Sequence, residues 1–556
     1  MFIPNISINM KTKIFLLLTI SIILISGRIF PQYINQPKLV VGIVIDQMRF
    51  DYLYRFQKYY VSSGFQRLMN NGSNFTFAHY NYSPTTTGPG HASIFTGTTP
   101  YFHGIIANDW YDKQKRKMIY CVRDTLIKSI GSNDSEGEMS PKNLLASTIT
   151  DQLKLSTKGQ SKVLAISLKD RSAILPGGHF ANAAYWYDNK TGDFISSSYY
   201  LQLLPKWVDD FNKRKLADKY LSEGWNLSHQ RSDYSINDPD ESKYEVDEFK
   251  EGKTSFPHTF NKLKDNEKYE VFETTPFGNE IVEEFVKSAL ENENLGKGNV
   301  TDFLTVSFSS TDHVGHDYGT YSYEIEDTYL RLDMLLQDLL KTLDKQTGRG
   351  NYLLFLTADH AALETPGYLK DNRLPTGELN IKRFTDSLKA FCGNVYGDKN
   401  LVENISSRQI YLNREVIKKR YLNIHEIEQK IEDYLRDNFP VITSIYKRDN
   451  LEKQTASRDN ANPILNGYNP FLAGDIVVNL LPGYLPNFLE KGTTHSTAYP
   501  YDTHVPMIFY GWNIPKQTIN TPVYTIDIAA TIANLLKIQE PSACIGIPLI
   551  KESVKK

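Results

Sequence analysis

Five short apolar runs, Leu39–Ile45, Val163–Ser167, Phe303–Phe308, Tyr352–Leu356 and Val505–Tyr510, set the strongest limit on how this chain folds. Each is nearly continuous in its apolar character, the pattern of a strand covered on both faces. Helical patterns lie between them. Tyr323 to Leu343 puts Leu330, Leu332, Leu335, Leu336, Leu339, Leu340 and Leu343 on one wide face, and Thr525 to Leu536 reads as the closing helix of the core. Strands alternating with helices specify an α/β fold, a mostly parallel sheet sandwiched by helices. Ligands of such sheets gather beyond the carboxyl ends of the strands. Asp46, Lys169, Asp312 and Asp359 each stand within a few residues of a predicted strand end, so distant parts of the chain converge on one edge.

A chain of 556 residues exceeds a minimal single core, and insertions are expected. Two stretches break the strand–helix alternation. Residues 201–275 are polar and Tyr-rich. Residues 366–491 carry a helix near Ile424–Asn438 and strand candidates at Val441–Tyr446 and Asp475–Leu480. Both are expected to cap a catalytic domain spanning 38–550. A net charge of −2 gives no support for binding nucleic acid or an acidic membrane. Residues 1–32 read as a signal peptide: Met10-Lys11-Thr12-Lys13 is basic, Ile14 to Ile25 is apolar, and Ser26-Gly27 follows, with Met10 a possible start. That reading makes the protein periplasmic or secreted, with no membrane span once the signal is removed, and a monomer is favoured. Cys121, Cys392 and Cys544 allow at most one bridge and form no disulfide framework or metal-ligand spacing.

The polar residues at the strand ends have a shared chemistry. Asp46 closes a buried strand, where a carboxylate is costly unless a cation accompanies it. Asp359 and His360 offer oxygen and nitrogen ligands from adjacent positions. Asp312 and His316 stand four apart in what reads as a Gly-containing loop, and His495 comes from far along the chain. Three carboxylates and three imidazoles suffice for two metal ions; the mixture fits zinc, with Mn or Fe admissible by ligand type. His504 is the competitor to His495. His79, His91, His103 and His179 are expected to support or pack. In SPTTTGPGHAS, Thr87 opens a turn leading into a short helix over Pro89–Phe95, where backbone N–H groups favour anions; Thr85 and Thr86 are its neighbours and alternatives. Two metals about 4 Å apart hold an attacking hydroxyl oxygen and a leaving oxygen in line. Lys169 and Arg171 flank Asp170, and in extended chain they point the same way, toward one phosphate. Asn108 is a third donor. Two fixed cations suit a monoester dianion better than a diester monoanion.

The motifs VIDQMRFDYL, SPTTTGPGHASIFTGTTP, HGIIANDWYD, SLKDR, STDHVGHDYG, TADHAA and THSTAYPYDTHVP resemble the alkaline phosphatase superfamily, in its secreted, threonine-nucleophile phosphate-monoesterase branch. The resemblance spans roughly residues 38 to 550. It implies one zinc on Asp312, His316 and His495, and a second on Asp46, Asp359, His360 and the Thr87 oxygen. It assigns the nucleophile to Thr87, and Asn108, Lys169 and Arg171 to the phosphate oxygens of varied small-molecule phosphate monoesters. Ala361 and Ser496 stand where Gly commonly follows the last histidine ligands, a small departure in the loops. The Thr87-Gly88-Pro89-Gly90-His91 turn lacks the Cys or Ser and the Arg that the sulfatase branch needs. Two rival readings share the residues: a phosphodiesterase of the nucleotide pyrophosphatase kind on the same metals, and a non-catalytic, metal-holding envelope binding protein.

Overall fold

The computed structural model describes residues 36–234 and 239–550; the expected signal segment lies outside them. The chain divides into Met1–Pro37 and Lys38–Lys556, and the second unit holds the elements that follow. Its large sheet has 11 strands. Numbered along the chain these are β1 Leu39–Ile45, β2 Ser73–His79, β3 Ser129–Ile130, β4 Val163–Ser167, β5 Ala183–Asp188, β6 Asp193–Ser197, β7 Asp302–Phe308, β8 Tyr352–Thr357, β9 His504–Gly511, β10 Gln517–Ile519 and β11 Val523–Tyr524. They lie in the order β10-β2-β9-β8-β1-β7-β4-β5-β6-β3, with β11 also paired to β2. The run from β8 to β5 is parallel. β9 runs against both β8 and β2, and β6 against β5. The five apolar runs read from the sequence are thus β1, β4, β7, β8 and β9.

The two-sided burial of these strands has a clear physical basis. Leu39, Val41, Ile43 and Ile45 of β1 face one hydrophobic cluster, and Val40 and Val44 face another. At Gly42 a Cβ atom would sit 2.6 Å from the Phe355 ring and 3.2 Å from that of Phe95, so only glycine lets those rings close over the strand. Eight helices matter here: α1 Thr87–Thr96, α2 Asp170–Gly177, α3 Phe277–Asn292, α4 Ser310–Tyr318, α5 Tyr323–Thr347, α6 Ile381–Tyr396, α7 Ile424–Asn438 and α8 Asp527–Leu536. α3 and α5 cover the first face of the sheet through residues such as Phe285, Leu336 and Leu340. α1 and α8 cover the second through Ile94, Phe95, Ile528 and Ile532.

The two insertions differ in kind. Residues 201–275 bury Phe211, Trp225, Tyr234, Phe249, Phe256 and Phe260 in the same cluster as β1, α3 and α5, so this stretch thickens the main core instead of standing apart from it. Residues 366–491 build a second, four-stranded antiparallel sheet, in the order Val402–Ser406, Gln409–Leu412, Ile476–Leu480 and Ile442–Lys447. That sheet has its own core, where Leu388 of α6 and Ile427, Ile431 and Leu435 of α7 meet Ile410 and Ile476. Cys121, Cys392 and Cys544 are unpaired.

Candidate active site

Parallel pairing aligns the carboxyl ends of four neighbouring strands. Ile45 pairs with Phe308, Val44 with Thr357, and Ser167 with Ser307. Asp46 follows β1 directly, Lys169 stands two residues past β4, Asp359 two past β8, and Asp312 lies in the first turn of α4 just beyond β7. Two antiparallel steps, β8 to β9 and β9 to β2, turn β2 the same way as β8. β2 therefore ends, and β9 begins, on this same edge, which is how the segments bearing Thr87 and His495 arrive there. Gly90 fixes the approach of α1: a Cβ there would meet the Asp359 carbonyl oxygen at 2.4 Å.

The predicted ligands assemble into two overlapping groups. Ligand atoms of Asp46, Asp359 and His360 lie within 4.8 Å of one another, as do those of Asp312, His360 and His495. His316 Nε2 is 3.2 Å from Asp312 Oδ1, and His495 Nε2 is 3.7 Å from the same atom. The His360 and His495 rings stack at 3.5 Å between centroids. Asp312 and His316 are one turn apart on α4, which corrects the loop expected for them: i and i+4 side chains of a helix share a face, and the glycine between them, Gly315, makes room for Gln47, whose Oε1 would lie 2.0 Å from a Cβ.

Electrostatically the site is short of positive charge. Lys169 Nζ donates to Asp46 Oδ2 at 2.8 Å and to Asp312 Oδ2 at 2.5 Å. Two of the three buried carboxylates share this one ammonium, and against the penalty of burial Asp312 and then Asp46 hold it charged. Burial, then the neighbouring Asp46, pushes Asp359 well above the carboxylate range. Burial pushes His360 down to about 3 and His495 well below its ordinary value. For His316 burial is outweighed by Asp312, which holds the ring at about 9. Among the described residues Asp46 Oδ1, Asp359 Oδ2 and His360 Nε2 are buried without a hydrogen-bond partner. Orphaned oxygen and nitrogen atoms at one buried point, among surplus carboxylates, fit divalent cations.

Thr87 is buried as the first residue of α1, two positions before the start expected for that helix, with Thr86 as its cap residue. The Thr87 carbonyl accepts from His91 Nδ1 at 2.9 Å, and Gly88 N donates to Asn108 Oδ1 at 2.7 Å. The second bond occupies the oxygen of Asn108 and leaves its amide nitrogen as the donor. Thr86, Asn108 and His495 line one cavity of about 480 Å³. Lys169 and Arg171 do not alternate on extended chain: Lys169 caps α2 and Arg171 lies in its first turn. The acid between them, Asp170, takes a first-turn position that the helix dipole favours. Arg171 Nη1 donates to Tyr120 Oη at 3.0 Å, and its Nε is buried without a partner. Both cations line a second cavity of about 390 Å³.

Comparison with known proteins fits this geometry. The profile of the family described as Type I phosphodiesterase / nucleotide pyrophosphatase matches residues 40–504. The chain belongs to this family. Alkaline phosphatase PhoV of Synechococcus elongatus is 46% identical over 523 residues, covering 94% of each chain. Alkaline phosphatase PafA of Elizabethkingia meningoseptica is 39% identical over 535 residues, covering 95% of this chain and 97% of its own. The crystal structure of wild-type PafA superposes with a TM-score of 0.88 over 92% of this chain and 98% of that one. A second PafA structure, with a Thr, an Asn, a Lys and an Arg replaced together, gives 0.87 at the same coverage. Within the family the chain is an enzyme of the alkaline phosphatase superfamily, of the PafA-like kind, and it carries that fold.

The remaining histidines separate from the ligand groups. His504 stacks on Phe50 at 4.3 Å and on His79 at 4.6 Å, and its Nε2 reaches the Thr76 carbonyl, so His495 and not His504 joins Asp312. His103 holds Ser93 and His179 holds Asp151. His91 has both ring nitrogens engaged, by Thr87 O and Ser307 Oγ. At the ligand groups one residue escaped sequence reasoning. Gln47 donates from Nε2 to Asp312 Oδ1 at 2.6 Å and from its backbone N to Asp359 Oδ1 at 3.2 Å, joining both ligand groups. Its backbone is left-handed, φ 61°. A glutamine directly after the strand-end aspartate was the available signal.

Proposed function

We propose that the chain is a two-zinc phosphate monoester hydrolase that works through a phosphothreonine at Thr87 and releases inorganic phosphate from varied organic phosphates. The observation that carries this reading is the cluster of buried Asp46, Asp359, His360 and Asp312 with His495 and the part-exposed His316 at one sheet edge, where three ligand atoms lack a hydrogen-bond partner among the described residues. In this reading Asp46, Asp359, His360 and the Thr87 oxygen hold one zinc, and Asp312, His316 and His495 the other. When bound, the ions supply Lewis acidity at the attacking and leaving oxygens.

The chain's own residues do the rest. Thr87 Oγ gives up its proton to water and attacks phosphorus; the Oγ–P bond forms as the bond to the leaving oxygen breaks, and that oxygen takes a proton back from water. The Asn108 amide, Lys169 and Arg171 hold the outer phosphate oxygens, where two cations match a dianion. Water then adds to the phosphothreonine, the Oγ–P bond breaks, and Thr87 regains its proton. Support for these roles also comes from the PafA mutant: its replaced Thr and Asn stand the same distance apart as Thr87 and Asn108, and its Lys and Arg as Lys169 and Arg171. The basic, apolar and small residues of 10–27 favour a periplasmic or secreted enzyme, and no helix among the described residues is long and apolar enough to cross a membrane.

The family's description keeps a diesterase reading in view. Turnover of an aryl phosphate and its methyl diester, alongside elemental analysis and chelator treatment, tests the proposal. It expects two zinc ions per chain, preference for the monoester, and loss of turnover with chelator. A metal-free protein of full activity, or a preference for the diester, rejects it.

A further inference from the structure

The cavity beside Asn108 has two walls of different origin. Thr86, Asn108 and His495 form the wall on the large sheet; Ser406, Arg408 and Asn487, from the 366–491 insertion, face it. Arg408 is an unusual residue to find there. It occupies the two-residue turn between Val402–Ser406 and Gln409–Leu412, where Ser406 pairs with Gln409. Both turn residues are left-handed, Ser407 at φ 49° and Arg408 at φ 60°. Asn-Gly fills such a turn without strain, whereas a long side chain in that conformation is disfavoured and marks a position held for another reason.

Arg408 is 9% exposed. Its hydrogen bonds run from Nη2 to the Ser496 carbonyl and, at 3.5 Å, to Ser83 Oγ. Among the described residues no Asp or Glu oxygen lies within 4.0 Å of it. Buried guanidinium groups ordinarily have a carboxylate partner in contact; here Asp502 acts on the group only from beyond ion-pair distance, and the guanidinium sits against the residue next to His495. The backbone is pinned, since Val478 N donates to Arg408 O at 3.0 Å. Arg408 and Asn108 line the same cavity, so an ester whose phosphate lies at Asn108 has this second wall open to its alcohol portion.

We propose that Arg408 forms a leaving-group subsite that selects phosphate monoesters carrying a second anion, a carboxylate or another phosphate, on the alcohol. This rests on the monoesterase reading above. The bidentate fork of the guanidinium supplies recognition of that anion, and Ser406 and Asn487 supply neutral donors around it.

A matched pair of substrates tests it in the metal-loaded full chain: 3-phosphoglycerate and glycerol 3-phosphate, similar in size and differing by one carboxylate. Wild type should favour the first in kcat/KM by about tenfold, mainly through KM, with the preference shrinking as salt rises. Arg408→Asn, which tolerates the left-handed turn, should bring the ratio to about one; Arg408→Lys should keep part of it. A wild-type ratio of one or less, or a ratio unchanged in folded Arg408→Asn, overturns the subsite. If Arg408→Asn fails to fold, Arg408→Lys decides alone: a ratio equal to that of wild type at every salt concentration overturns the subsite, and a reduced, salt-sensitive ratio supports it. Wild type inert toward both esters and toward an aryl phosphate would instead reject the monoesterase reading.

Discussion

The edge of the large sheet and the 366–491 insertion face each other across one cavity, and they hold their polar groups by opposite means. At the sheet edge four parallel strands end in register, and topology alone drives Asp46, Asp312, Asp359 and Lys169 into one buried point. Those groups leave each other incompletely satisfied. In the insertion the strands are antiparallel and the acid buried within the sheet is well served: Asp475 accepts from Leu412 N at 2.7 Å and pairs with Arg414. The difference teaches a division of labour. Chemistry belongs where the fold stores unsatisfied charge, and selection among substrates belongs to a turn that a self-sufficient small core can carry.

The largest test of that division removes the nucleophile. Thr87→Ala should lower kcat by at least about 10⁴-fold while elemental analysis still finds the wild-type zinc content, because Asp46, Asp359 and His360 remain. A variant with wild-type turnover would falsify the assignment of Thr87. Next in size is the paired loss of Lys169 and Arg171. Charge-assisted hydrogen bonds are each worth about 1.5–3 kcal/mol, so the double Ala variant should lose about 10²-fold or more in kcat/KM on an aryl monoester. Its loss on the methyl diester should be about tenfold smaller. Equal losses on both would break the argument that two cations select a dianion.

Much of the sheet edge was legible because Asp46, Lys169, Asp312 and Asp359 each follow an apolar run long enough to be recognised as a strand. What was misread there was local. The segment Ser167-Leu168-Lys169-Asp170-Arg171 continues a strand in sequence, but Asp170 at a helix start was the overlooked signal, and Lys169 and Arg171 sit at a cap and in a first turn. Asp312 and His316 share a helix whose glycine suggested a loop. Residues 201–275 concealed their burial because Trp225, Tyr234, Phe249 and Phe256 follow neither a two-residue nor a 3.6-residue period, although Trp225 packs edge-on against both Phe249 and Phe256. Arg408 was invisible for a related reason: its turn carries none of the Asn or Gly that normally announces one, and no periodicity connects it to the catalytic motifs.

Gln47 sharpens the comparison from the sheet side. Its side chain and backbone tie Asp312 to Asp359, so it is a positioning residue for both ligand groups. Loss of such outer hydrogen bonds typically weakens metal binding by about 10–100-fold. Gln47→Ala should therefore lose zinc to a chelator at correspondingly lower concentration, with the melting temperature of the metal-free protein little changed. Retention equal to wild type would mean that the strand ends hold the carboxylates unaided.

The smallest effect is expected in the insertion, and its sign is opposite to that of a salt-bridged acid. Glu428 on α7 is buried, and burial raises its carboxyl to about 7 although Arg448, 3.9 Å away, pulls it down. An unfolded Glu titrates near about 4.3. The folded insertion thus keeps a proton that the unfolded chain has released, so this contribution to stability is present below about pH 4.3 and is lost as pH rises toward about 7. Amide-exchange protection of α7 should fall between about pH 4.3 and about pH 7, after correction for intrinsic rates, while β1 and β8 hold theirs. Glu428→Gln, neutral throughout, should flatten that fall. Protection that declines equally in α7 and in the parallel strands would show that the two cores open together, and the separation drawn between chemistry and selection would lose its structural footing.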